Sequence, residues 1–126
     1  MNLQNKNIGK IGEDFACKFL QGNGYKILDR NVTSHWSEID IVAKKGRSLH
    51  FVEVKTRTGK KFGKPYEAVG YYKIRSLYRS VNLYLLKNKL KEYKLSLDVI
   101  SIVLNDNLII DEIKHYENVP KGVYKI

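Results

Sequence analysis

Three charged residues stand where a core would place apolar ones. In "SEIDIVA" Asp40 lies between Ile39 and Ile41, and in "FVEVKTR" Glu53 lies between Val52 and Val54, with Lys55 following. Side chains alternate along a strand, so Glu53 and Lys55 share one face and Val52 and Val54 the other. Both runs read as strands, 37–43 and 49–56, joined by "KKGR", whose Gly46 suits a hairpin turn. Hairpin pairing sets Asp40 close to Glu53 in one register and not in others. Two ionised carboxylates about 5 Å apart, at an effective dielectric near 20, repel by roughly 3 kcal/mol. Lys55 offsets part of this. A divalent cation offsets the rest, and Mg²⁺ (or Mn²⁺) favours carboxylate oxygens, retained water and phosphate. The chemistry implied is metal-assisted work on a phosphate. The plainer alternative is a salt bridge on a solvated sheet face.

Other elements must bring these groups together. At about 100° per residue, Ile8, Ile11, Phe15, Ala16, Phe19 and Leu20 fall on one arc, which predicts a helix over 8–21. Glu13 sits at the border of that arc and is placed to reach the rim of whatever the helix covers. Gly9 and Gly12 in the same arc permit close approach to a sheet. Glu13, Asp40 and Glu53 with Lys55 sum to a charge matching one divalent ion. "GNGY" ends the helix. Strands follow over 25–32, 97–104 and 108–114, with a second helix over 67–89. The order αβββαββ indicates a central sheet covered by helices.

The chain has 126 residues, with 23 Lys plus Arg against 13 Asp plus Glu, a net charge of +10. One domain over 1–126 fits this length, with 118–126 expected as a loose tail. The charge favours a polyanionic partner, nucleic acid before membrane. The loop after the third strand carries Arg57, Lys60, Lys61 and Lys64, placed to grip phosphates without choosing sequence. The single cysteine, Cys17, excludes an internal disulfide and reads as packing. Neither a signal h-region nor a membrane-length apolar run is present, so the cytoplasm is the default expectation and no membrane partner is expected. His35, His50 and His115 show no metal or triad spacing and read as ordinary surface residues. "IGKIG" could be the Gly-x-x-Gly clamp of an RNA-binding KH module. Too little chain precedes it, and Glu13 and Asp14 would repel phosphate.

"GEDFA", "GYKILDRN", "EIDIVA", "FVEVKTR", "FGKPYEAV" and Lys73, in this order, resemble the YraN family, small bacterial proteins of the restriction-endonuclease-like, PD-(D/E)XK superfamily related to Holliday-junction resolvases. The resemblance spans about 9–118. It implies an α/β fold with an αβββαβ core and a central mixed sheet flanked by helices. It also implies a metal-dependent nuclease acting on DNA phosphodiesters, including branched or structured DNA. Glu13, Asp40, Glu53 and Lys55 would be catalytic. Asp40, Glu53 and the Val54 backbone carbonyl would hold Mg²⁺ or Mn²⁺, and Lys55 would orient the attacking water. The alternative is a non-catalytic nucleic-acid-binding protein of the same fold. A resolvase-like role favours a twofold homodimer. Two departures stand out: Ser37 replaces the family's usual Gly, and Ser96-Leu97-Asp98 replaces Arg-Phe-Asp.

Overall fold

The apolar arc after the N-terminus becomes α1 (Leu3–Gly22), in a computed structural model that describes residues 3–59, 71–88 and 93–119. Ala16 and Leu20 are fully buried on its inner face, with Ile8, Ile11, Phe15 and Phe19 packed beside them. The helix stops where Gly24 takes φ +88° and the Tyr25 amide donates back to the Leu20 carbonyl at 3.0 Å. Glycine adopts this left-handed conformation without a Cβ clash.

Five strands follow: β1 (Lys26–Thr33), β2 (Glu38–Lys45), β3 (Ser48–Thr58), β4 (Lys94–Leu104) and β5 (Ile110–Tyr116), with α2 (Tyr71–Asn88) between β3 and β4. They form one sheet in the order β1-β2-β3-β4-β5. β3 and β4 are parallel, as a crossover through a helix requires, and the other neighbouring pairs are antiparallel. The sheet is therefore mixed and flanked by a helix on each face, in the αβββαββ order. Between α1 and the sheet lie Ile41, Val52, Ile100 and Ile102. Between α2 and the other face lie Leu77, Val81 and Tyr84, against Ile39, Val42, Phe51 and Val99. Removing such side chains from water stabilises the fold by about 1.5–3 kcal/mol each and sets which face each helix covers.

The close approach expected of α1 is needed at Gly12, where a Cβ would overlap the Thr56 side chain; at Gly9 there is room. β4 starts three residues before the expected 97. β5 starts at Ile110 rather than 108, because Leu108 (φ +61°) belongs to the turn. The Asn105 carboxamide builds that turn by accepting from the amides of Asn107 (2.9 Å) and Ile109 (3.1 Å). Residues 67–70 and Lys89 of the expected second helix lie outside the described residues. The start of the expected loose tail is docked: Val119 is buried, and its amide donates to the Leu97 carbonyl at 2.7 Å. Among the described residues no helix is long and apolar enough to cross a membrane.

Candidate active site

The β2–β3 hairpin turns at Gly46-Arg47, with Gly46 at φ +59°, and pairs in register from Lys45↔Ser48 to Ile41↔Val52. There the ladder ends. Ile39 packs toward α2 and Ile41 toward α1, so strict alternation breaks at Asp40 and the strand rotates. This differs from the simple pattern, in which Ile39 and Ile41 would share a face. The rotation aims Asp40 across the end of the ladder, where its Oδ2 accepts from the Val54 amide at 2.8 Å. The part of Val54 seen engaged with the acids is thus its N–H.

The Asp40 and Glu53 carboxyls lie beside one another and interact directly. Glu53 is 4% exposed and Asp40 9%. Burial, then the Asp40 charge, pushes the Glu53 carboxyl up to about 8, against the opposing charges of Lys73 and Lys55. Burial also raises Asp40, opposed by the Val54 amide. Lys73 of α2 places Nζ 3.7 Å from Glu53 Oε1, while Glu53 Oε2 is buried without a hydrogen-bond partner among the described residues. An orphaned carboxylate oxygen inside a fold is costly, and such groups concentrate where a ligand completes the set.

α1 brings in Glu13. Its carboxyl oxygen lies within 4.8 Å of ligand atoms on Asp40 and on Glu38, a fourth acid from the start of β2. Burial, then the charges of Asp40 and Glu38, pushes Glu13 up to about 7. Arg30 opposes this from 4.0 Å but is held by Asp14 at 2.8 Å. With its amide oriented to donate, Asn31 reaches Glu13 at 3.0 Å and Glu38 at 3.1 Å, from a backbone held at φ +51°. Asp40 is therefore the hub of the group, with Glu13 and Glu38 on one side and Glu53 on the other. Beside it opens a cleft of about 580 Å³ lined by Glu13, Lys55, Thr56 and Arg57.

The structure thus gathers Glu13, Asp40, Glu53 and Lys55 at one end of β3, with Arg57 on the same cleft. Lys60, Lys61 and Lys64 lie outside the described residues. Glu38, Lys73 and Asn31 belong to the site although sequence reasoning gave them no role. Glu38 carried a usable signal, since it stands two residues before Asp40 in a strand. Lys73 comes from a helix whose placement depends on tertiary packing. The histidines need correction. His35 does sit at the surface, edge-on to the exposed Trp36 with ring centroids 5.2 Å apart. His50 is buried, and with His115 it converges on Asp98, which is 0% exposed.

A helix, three antiparallel strands, a crossover helix and a parallel strand, with acids collected where β2 and β3 part, define an α/β domain of the restriction-endonuclease-like arrangement. Residues 12–102 match the uncharacterised protein family UPF0102. The chain is 45% identical over 106 residues to a UPF0102 protein of Clostridium tetani, covering 84% of this chain and 87% of that one. It is 38% identical over 120 residues to a UPF0102 protein of Dictyoglomus turgidum, covering 95% and 99%. The chain belongs to the UPF0102 family, the YraN family of the sequence resemblance.

Proposed function

We propose that this protein is a divalent-metal-dependent nuclease that hydrolyses DNA phosphodiesters, with branched or structured DNA as the substrate class. The observation that carries the reading is the buried Asp40–Glu53 pair, with Glu53 Oε2 orphaned among the described residues, flanking Val54 and Lys55 of a cleft that also bears Glu13 and Arg57. The donor set is all carboxylate oxygen, which suits Mg²⁺ or Mn²⁺ and not a softer metal. Asp40 and Glu53 would hold the ion, with Glu13 and Glu38 within reach. A bound ion supplies positive charge against the scissile phosphate and acidifies an attacking water.

The protein's own groups do the rest. The Val54 amide fixes the Asp40 carboxylate, so one oxygen is held and the other is left to bind. Lys55 follows Glu53 by two residues, lines the cleft, and is placed to orient water and stabilise developing negative charge. Arg57 lines the same cleft and is placed to position a neighbouring phosphate. The net charge of +10 supports a polyanionic substrate and predicts binding that weakens steeply with salt.

The test is cleavage of branched, flapped and single-stranded DNA in Mg²⁺ or Mn²⁺ by the wild type and by Glu53→Ala/Lys55→Ala. Cleavage by the wild type, reduced at least about 100-fold in the double variant, is the expected result. Binding without cleavage by either protein on every substrate overturns it in favour of a non-catalytic DNA-binding role.

A further inference from the structure

On the α1 face of the sheet, away from the acid cleft, four side chains from separate segments meet. His50 of β3 places Nδ1 2.6 Å from Asp98 Oδ2, and His115 of β5 places Nε2 2.7 Å from the same oxygen. Glu117, just after β5, completes the group, and the donor atoms of all four lie within 4.8 Å of one another. His50 and Asp98 are buried, and His115 is nearly so. The register explains the meeting: Asp98 pairs with Val52, beside His50, and His115 pairs with Ile100, beside Asp98.

A second layer holds these groups in place. Asp98 turns its other oxygen, Oδ1, to the Ser96 hydroxyl and to the Asn118 amide at 3.1 Å, leaving Oδ2 aimed between the two rings. The Tyr25 hydroxyl donates to Glu117 Oε1. The Tyr25 ring also packs against both imidazoles, with centroids 4.9 Å and 5.7 Å away, and Phe19 meets His115 edge-on. Carboxylate ligands held by hydrogen bonds, and imidazoles fixed in orientation, are the support that protein metal sites require.

We propose that His50, Asp98, His115 and Glu117 form a second, structural metal site that takes Zn²⁺. Two imidazoles and two carboxylates suit a borderline divalent ion, unlike the all-oxygen acid cleft. Four protein donors close a tetrahedral shell and leave no position for substrate, which marks the site as structural. A tetrahedron with bonds of about 2.0–2.1 Å separates its donors by about 3.3 Å. Opening the two short His–Asp contacts by under about 1 Å reaches this spacing. The ring nitrogens facing Oδ2 would offer lone pairs to the ion, each neutral imidazole carrying its proton on its other nitrogen instead. The bound ion would clamp β3, β4, β5 and the segment after β5 together.

The experiment uses untagged full-length protein, treated with chelator and then titrated with Co²⁺ or Zn²⁺ alone. The expected result is one equivalent of Co²⁺ with the intense visible bands of a tetrahedral site, displaced by Zn²⁺, and a melting temperature raised by Zn²⁺. Asp40→Asn/Glu53→Gln, which removes the acid cleft's charge, keeps all of these, so the outcome does not depend on the nuclease reading. His115→Ala weakens Co²⁺ binding at least about 100-fold. Absence of the visible bands and of a Zn²⁺-dependent rise in melting temperature in the wild type overturns the proposal, whether or not the His115 variant folds. So does retention of the bands by a folded His50→Ala/His115→Ala protein.

Discussion

Strand β3 carries two buried polar groups of opposite character. Near its start, His50 joins Asp98, whose carboxylate is completely provided for. Burial alone would push the Asp98 carboxyl up, but hydrogen bonds from His115, His50, Ser96 and the Asn118 amide together outweigh it and hold the group well below the usual carboxylate range. Beyond the end of the β2–β3 ladder, Glu53 joins Asp40, Glu13 and Glu38, where donors fall short. Burial and like charge win there, and Glu53 rises to about 8 and Glu13 to about 7. A buried carboxylate is thus not one kind of object. Ringed by donors it is stabilised in its charged form; crowded by other acids it opposes the fold.

The comparison breaks most visibly on substitution. Asp98→Ala strands two imidazole N–H groups and the Ser96 hydroxyl, so it should destabilise the chelator-treated protein by about 3–5 kcal/mol in urea unfolding. Glu53→Gln should not destabilise above pH 8. A loss as large as that of Asp98→Ala would show that the acid cleft is structural after all.

The two groups also predict opposite slopes with pH. Glu53 and Glu13 have folded values above the ordinary 4.5. The folded state therefore holds extra protons between about 4.5 and 8, and stability falls as pH climbs through that window. The Glu53 share is of order a few kcal/mol. Asp98 is lowered from 3.8, so its contribution is present above that value and is lost as pH falls toward its folded one. Urea unfolding between pH 5 and 9 should show the falling limb, flattened by Mg²⁺ in the wild type. In Glu53→Gln the limb is shallower from the outset. A wild-type profile flat without metal would contradict the raised acids.

The smallest effect sharpens the contrast in space. Gly12→Ala pushes α1 away from Thr56 beside Glu13, and overpacking of this kind costs about 1–3 kcal/mol. It should weaken Mg²⁺ binding at the acid cleft while leaving the histidine NMR signals of the other group in place. Movement of both would mean that α1 shifts as one piece.

Much of this was legible because it is local. Helical spacing on 8–21, alternation in β2 and β3 and a glycine at the turn gave the order of elements, and a short hairpin fixed Asp40 beside Glu53 within a few residues of chain. The rotation at Asp40 was hidden, since "EIDI" alternates cleanly as text. The turn at Leu108 was hidden by an apolar residue holding a positive φ. The His–Asp–His group was beyond reach for a different reason. His50 and Asp98 are 48 residues apart, Asp98 and His115 are 17 apart, and their meeting depends on the parallel register that the α2 crossover sets. Tertiary packing decides that register, and no periodicity announces it.

β3 is the middle strand of five, paired with β4 along its length and with β2 from Ser48 to Val52. Amides in such a position exchange with solvent only when the whole domain comes apart, whereas borders and turns open readily. One member of each cluster, His50 and Glu53, thus rides on the least yielding part of the chain. Opening at the borders of the sheet would therefore leave these two side chains where they stand.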